Sequence, residues 1–163
     1  MYKSEFVHVN ADVCAGCRYC ELICSSRDHG SFNPRAARIR VLRMDEQGID
    51  TPILCRQCKT CPCVDACPTQ AFLRTPTGTV TINPESCVAC YRCVNECTED
   101  AVFIPPKQGP PLVCDTCRGA PLCVPKCPTQ ALTLVQDDHP PRGGNTDLPD
   151  RSKRAPSSGD SSI

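Results

Sequence analysis

Large apolar side chains are scarce in this chain. It has no tryptophan, two methionines, four phenylalanines and three tyrosines among 163 residues. Its apolar fraction of 40% overstates the core, because 17 of those residues are cysteine. One or two small domains with so little oil need staples, either disulfides or metal. No stretch approaches the ~20 consecutive apolar residues of a membrane span. Residues Met1 to Asn10 also lack the basic, apolar and small-residue order of an export signal. The expectation is a soluble, cytoplasmic chain without direct membrane insertion. A phosphate-binding glycine loop, a dinucleotide fingerprint and a nucleophile motif are all missing, and the histidines at 8, 29 and 139 stand isolated. The chain is therefore not expected to be an enzyme in its own right.

Cysteine is what the chain has in quantity. Its number is odd and no secretory signal accompanies it, which argues against a disulfide framework and for metal. Four runs carry sixteen of the thiols plus one. The first is Cys14-Ala-Gly-Cys17-Arg-Tyr-Cys20-Glu-Leu-Ile-Cys24, and the third is Cys87-Val-Ala-Cys90-Tyr-Arg-Cys93-Val-Asn-Glu-Cys97, both spaced 2, 2, 3. The second is Cys55-Arg-Gln-Cys58-Lys-Thr-Cys61-Pro-Cys63-Val-Asp-Ala-Cys67-Pro68. The fourth is Cys114-Asp-Thr-Cys117-Arg-Gly-Ala-Pro-Leu-Cys123-Val-Pro-Lys-Cys127-Pro128, spaced 2, 5, 3. An iron-sulfur cubane offers four iron corners. A C-x2-C-x2-C loop wraps three of them with its N-H groups toward the sulfides, and the fourth thiolate comes from another run. Zinc knuckles instead use two C-x2-C pairs separated by a dozen or more residues, so a zinc-binding interaction module is a distant alternative.

The runs form an alternating internal repeat. The first and third are entered from Val7-His-Val9-Asn10 and Val80-Thr-Ile82-Asn83, which predict strands leading into a loop. The second and fourth leave through Cys67-Pro-Thr-Gln-Ala and Cys127-Pro-Thr-Gln-Ala, which predict a proline at the first position of a short helix and then a strand. The second run has one cysteine too many. Binding through Cys55, Cys58, Cys63 and Cys67 gives 2, 4, 3 and parallels the fourth run, which leaves Cys61 as the expected non-ligand, a buried thiol beside the others; the alternative exchanges Cys61 for Cys63.

Between the first two runs, Arg38-Ile-Arg-Val-Leu-Arg43 alternates basic and apolar residues like a half-exposed strand. Its arginines serve either as a solvated edge or as a cationic lip for a partner or a nearby cluster. Lys3, Arg18, Arg56, Lys59, Arg92, Arg118 and Lys126 lie in or near the runs, where they would offset anionic clusters. The formal charge is zero, but four oxidised cubanes with their thiolates would bring it to roughly −8. Nucleic-acid binding is not expected. From Gln136 onward, proline, glycine, serine and charge without periodicity predict a disordered or partner-bound tail.

The four runs, their order and the Cys-Pro-Thr-Gln-Ala exits resemble the four-cluster ferredoxin subunits of molybdenum and tungsten pterin oxidoreductases over about residues 5 to 135. The short chain and its Cys114-Asp-Thr-Cys117-Arg-Gly-Ala-Pro-Leu-Cys123 run look most like the small iron-sulfur subunit of bacterial tungsten aldehyde oxidoreductase. Benzoyl-CoA reductase accessory subunits are similar nearly as well, and related chains accompany hydrogenases and carbon monoxide dehydrogenase. The resemblance implies an α+β fold with little apolar core, made of two nested bacterial-ferredoxin-like lobes of two clusters each. The outer lobe would be 1–50 plus 106–135, the inner lobe 51–105, and the tail 136–163. It further implies four 4Fe-4S clusters. One would be held by Cys14, Cys17, Cys20 and Cys127, a second by Cys55, Cys58, Cys63 and Cys97, a third by Cys87, Cys90, Cys93 and Cys67, and a fourth by Cys114, Cys117, Cys123 and Cys24. The pattern departs from the family where Ser25 and Thr98, rather than proline, follow Cys24 and Cys97. The implied role is electron transfer in anaerobic metabolism, between a pterin-metal catalytic subunit and a flavoprotein or ferredoxin. A free-standing soluble polyferredoxin is the alternative. A linear array with two dockable ends would also let chains self-associate end to end.

Overall fold

The computed structural model describes residues 4–44 and 48–137. Among the described residues, eight short strands pair into four two-stranded antiparallel sheets, with three α-helices and three short 3-10 turns between them. Strand β1 (Ser4–Val9) pairs with β8 (Leu132–Asp137), so the two ends of the described chain meet in one ladder, Ser4 opposite Asp137 and Val9 opposite Leu132. This ladder buries Val7 and Leu132 on one face and Phe6 on the other. Strand β8 thus runs two residues past the boundary expected at 135; the rest of the expected tail lies outside the described residues.

Strands β2 (Ile39–Met44) and β3 (Ile49–Leu54) form a hairpin. In β2, buried Ile39 and Val41 alternate with half-buried Arg40 and Leu42, the alternation its sequence predicts, which ends at the exposed Arg43. Pro52 is tolerated in β3 because a two-stranded sheet leaves one edge without a ladder partner. The boundary expected at 50/51 falls inside β3. Strands β4 (Phe72–Arg74) and β5 (Val80–Ile82) form a second hairpin, and β6 (Val102–Phe103) pairs with β7 (Leu112–Val113) across the boundary expected at 105/106.

The repeat is visible in the backbone. Asn10 N-H donates to the Ala131 carbonyl and Asn83 N-H to the Ala71 carbonyl, both at 2.8 Å. The β1–β8 ladder is therefore the counterpart of β5–β4. In both halves the asparagine also turns the chain into its cysteine loop, Asn10 Oδ1 accepting from Asp12 N-H and Asn83 Oδ1 from Glu85 N-H.

Helix α1 (Tyr19–His29) follows the first loop, α2 (Pro62–Asp65) lies within the second run, and α3 (Arg92–Glu96) follows the third loop. Cys20 and Cys24 stand four residues apart within α1, hence on one side of it, while Cys63 and Cys93 lie in α2 and α3 and Cys67 and Cys97 just beyond the ends of those helices. The sequence predicts helices beginning at Pro68 and Pro128. Neither forms. Gln70 and Gln130 adopt left-handed backbone at φ 51° and 55°, as does Asp100 at 50° in the third run, and this breaks the helical path and leads directly into the next strand. Proline starts a helix at Pro62 instead.

Among the described residues, the buried core cluster has sixteen members, and seven are cysteines: Cys55, Cys61, Cys63, Cys93, Cys97, Cys114 and Cys123. The aliphatic remainder, chiefly Val7, Ile39, Ile53, Leu54, Val80, Val102, Val113 and Leu132, is too small to hold so many loops alone. None of the helices among the described residues is long and apolar enough to cross a membrane.

Candidate metal centres

Each cysteine loop is bent by a left-handed residue at the same place, immediately before the second cysteine. These are Gly16 (φ 61°), Gln57 (56°), Ala89 (52°) and Thr116 (51°). The conformation turns successive N-H groups inward, as anion-binding nests do. Gly16 N-H faces the Cys14 sulfur, Gln57 N-H the Cys55 sulfur and Thr116 N-H the Cys114 sulfur. Only the first run advertises this bend with a glycine, and the reason is local. A Cβ on Gly16 would collide with the Asp50 carboxylate of β3, whereas the equivalent Ala89 carries its Cβ.

The fourth cysteines are treated alike as well. Ala71 N-H donates to Cys67 Sγ and Ala101 N-H to Cys97 Sγ, each at 3.3 Å, and Ala131 N-H reaches Cys127. Cys24 receives its donor from farther away, Arg38 N-H at 3.2 Å. Amide donors to sulfur stabilise thiolate charge and are a main lever on cluster potential.

Two recesses have four cysteines each in their lining. Cys14, Cys17, Cys20 and Cys127 border one, lined also by Val41, Pro52 and Leu132. Cys67, Cys87, Cys90 and Cys93 border another, lined also by Phe72, Ile82 and Tyr91. The remaining ligand candidates meet in the interior. Cys24 neighbours Cys117 and Cys123. Cys97 neighbours Cys55 and Cys63. Cys20 also neighbours Cys123, and Cys55 neighbours Cys114, so the thiol groups follow one another through the molecule. Among the described residues no three His, Cys, Asp or Glu side chains converge on one point as a single ion requires.

Burial makes most of these thiols resist ionisation by themselves. It pushes Cys20, Cys55 and Cys123 up to about 12 and Cys93 to about 11, and raises Cys114 well above the ordinary thiol range. The same burial acts on Cys67 and Cys127, but the Ala71 and Ala131 amides and the Thr69 and Thr129 side chains outweigh it and lower both. A buried thiol set that ionises only against a compensating positive charge is matched to an iron-sulfur core, whose irons supply that charge. The donor chemistry, the lined recesses and the inward amides all fit such a group.

Three polar contacts that the sequence does not predict hold the loops in place. Gln57, fully buried, donates from Nε2 to the Cys114 carbonyl at 2.6 Å and accepts from Val80 N-H at 2.5 Å. Glu21, 1% exposed, accepts from Val41 N-H at 2.7 Å and from Arg18 Nε at 3.0 Å. Asp115 takes two bonds from Arg27, 2.7 and 2.8 Å, and a contact from Arg38 at 3.0 Å. Burial would raise the Asp115 carboxyl, but the Arg27 hydrogen bonds and the Arg38 and Arg27 charges overcome it and bring it to about 2. Arg18 and Arg56, expected to offset cluster charge, face carboxylates, Glu21 and Glu99. No residue-type signal marks these pairs, because each joins positions far apart in sequence or depends on loop shape.

Comparison with known proteins gives concordant matches. The 4Fe-4S dicluster domain model matches residues 47–137. The polyferredoxin-like subunit of an aliphatic sulfonate oxidoreductase from Pyrococcus furiosus is 39% identical, over 83% of this chain and 80% of its own. The B subunit of polysulfide reductase from Wolinella succinogenes is 29% identical, over 81% and 75%. Among solved structures, one polypeptide of the BamBC active-site complex of benzoyl coenzyme A reductase, in complex with zinc, aligns at a TM-score of 0.52 with 25% identity, covering 87% of this chain and 85% of that one.

Proposed function

Because this protein belongs to the 4Fe-4S dicluster domain family, we propose that it is the non-catalytic electron-relay subunit of an oxidoreductase complex. Its partners on this reading are a tungsten or molybdenum pterin subunit, of the aldehyde oxidoreductase type that the sequence resembles, and a flavoprotein or ferredoxin. The chain itself is an iron-sulfur electron-transfer protein. That its Pyrococcus and Wolinella relatives are named as parts of oxidoreductases supports a subunit over a free carrier.

The observation that carries the reading is the crossing of runs: the loop thiols of each run face the fourth cysteine of another. Cys14, Cys17 and Cys20 would hold one cluster with Cys127, and Cys114, Cys117 and Cys123 a second with Cys24. Cys55, Cys58 and Cys63 would hold a third with Cys97, and Cys87, Cys90 and Cys93 a fourth with Cys67. Two nested lobes follow, 1–50 with 106–135 and 51–105, with β8 carrying the outer lobe on to Asp137 before the tail. Bound 4Fe-4S clusters supply reversible one-electron chemistry. The residues of this chain fix the spacing of the thiolates, direct N-H groups at their sulfurs and keep water from the interior sets.

Both Cys61 and Cys63 neighbour other thiols of the second run, but Cys63 also meets Cys97 of the third, whereas the Cys61 thiol donates to the Cys58 carbonyl at 2.6 Å, so Cys63 is preferred as ligand. Anaerobic purification with iron, zinc and acid-labile sulfide analysis tests the reading. About sixteen irons and sixteen sulfides per chain, with bleaching by dithionite, are expected of four cubanes. Zinc without sulfide would sink it. Recovery with a pterin-metal subunit at fixed stoichiometry separates a subunit from a free polyferredoxin.

A further inference from the structure

Arg74, the last residue of β4, directs its guanidinium at the second cysteine run. Nη1 donates to the Gly78 carbonyl at 2.8 Å and ties the hairpin turn. Nη2 donates to the Cys58 carbonyl at 2.9 Å and reaches the Lys59 carbonyl at 3.5 Å and Cys61 Sγ at 3.6 Å. Cys61 in turn is buried and bonded to the Cys58 carbonyl. The planar fork of arginine suits this role, because it can meet several acceptors in fixed geometry where an ammonium offers a point charge.

The charge of Arg74 is also left uncompensated. Arg27 and Arg38 meet Asp115, and Arg56 meets Glu99, but among the described residues no carboxylate pairs with Arg74. Cys55 and Cys61 both lie within reach of its positive field. A cation near a redox centre favours the state that has gained an electron, and amide or thiol donors beside ligand sulfur act in the same direction. A purely structural clamp would need only the carbonyl bonds. The approach to Cys61, a thiol that completes no ligand set, has no use in that account.

We propose that Arg74, acting through Cys61 and the 58–61 loop, is a positioning residue that holds the second run closed and raises the reduction potential of the cluster bound by Cys55, Cys58, Cys63 and Cys97. The proposal rests on the ligand reading above. The seventeenth cysteine then spaces the guanidinium from the ligand sulfurs and relays its polarisation.

The test uses the full chain purified without oxygen, with iron and sulfide per chain and an EPR-monitored redox titration for the wild type and for Arg74→Gln, Arg74→Lys and Cys61→Ala. One of the four one-electron midpoints should fall in Arg74→Gln with iron content unchanged. Arg74→Lys should recover most of that shift. Cys61→Ala should lower the same midpoint by a smaller amount. Midpoints unmoved in Arg74→Gln, or all four displaced together, would overturn the proposal. If Arg74→Gln loses iron, Arg74→Lys decides, a midpoint near the wild-type value sustaining the proposal and a lowered one overturning it. Loss of a cluster, or a three-iron signal, in Cys61→Ala would make Cys61 a ligand and refute its spacer role. A wild-type protein without iron would mean that the functional reading had failed, a result distinct from all of these.

Discussion

Replacing Gln57 by leucine is the most direct probe of how the second run is held against the fourth. The side chain is fully buried and both of its polar atoms are used, one on the Cys114 carbonyl and one on Val80 N-H. Leucine keeps the approximate volume and removes both partners. Each backbone group left buried without a partner costs about 1–3 kcal/mol, or about 2–6 together. Burying an aliphatic side chain instead of an amide returns about 1–2 kcal/mol. The net loss therefore centres on about 2.5 kcal/mol within a span of about 0–5, or roughly 70-fold in an equilibrium constant at the centre. Glutamate should be worse than leucine, because its second oxygen would face the Cys114 carbonyl acceptor and its charge would be buried. The assay is the guanidinium midpoint of anaerobic holoprotein followed by visible absorbance, together with the rate of bleaching at fixed denaturant, since metal loss makes unfolding irreversible. Gln57→Leu as resistant as the wild type, with Gln57→Glu equally so, would refute the latch and mean that water reaches both backbone groups.

Gly16→Ala should destabilise the fold by about 1–2 kcal/mol from left-handed strain, with the Asp50 carboxylate displaced from its place beside Gly16; holoprotein denaturation midpoints read it directly. Ala89→Gly, at the equivalent bend, should be neutral or stabilising by up to about 1 kcal/mol in the same assay. Asp115→Asn removes the carboxylate shared by Arg27 and Arg38 and should cost about 1–3 kcal/mol, seen as a lower thermal midpoint with iron content retained at room temperature. Cys63→Ser should lose a cluster or convert it to a three-iron form, visible by iron analysis and EPR, while Cys61→Ser should keep the full iron complement.

The contrast between Gly16 and Ala89 shows why part of this site was legible in the sequence and part was not. Cysteine spacing is covalent and local, so the runs, their alternation and the strand entrances at Val7 and Val80 could be read directly. Backbone bends were legible only where crowding forces glycine. At Gln57, Ala89 and Thr116 the same bend is imposed by the loop's sulfur-directed amides, and no residue preference betrays it. The helix predicted at Pro68 failed for a related reason. Proline permits a first helical turn but does not dictate one, and the left-handed Gln70 carries the chain to the Ala71 amide that serves Cys67. Gln57 and Asp115 were invisible because their partners lie 57, 23, 88 and 77 positions away, at Cys114, Val80, Arg27 and Arg38.

Exposure along the succession of thiol groups adds a last constraint. Of the eight cysteines proposed for the interior pair of clusters, Cys55, Cys63, Cys97, Cys114 and Cys123 are buried; of the eight proposed for the terminal pair, only Cys93 is. Cys17 and Cys90 are exposed, and they belong to opposite terminal sets. A relay needs this asymmetry. Charge in its interior must be shielded from water, since solvent reorganisation around a changing charge slows transfer and exposed clusters meet oxidants. Its ends must come close to a partner's redox group. The chain meets the first need with buried thiols, inward amides and the Gln57 bridge between Cys114 and β5, and the second by leaving one proposed ligand of each terminal set at the surface. The small aliphatic core follows from the same division, because the space an ordinary domain of this size fills with leucine and phenylalanine is here occupied by the thiols that hold the metal.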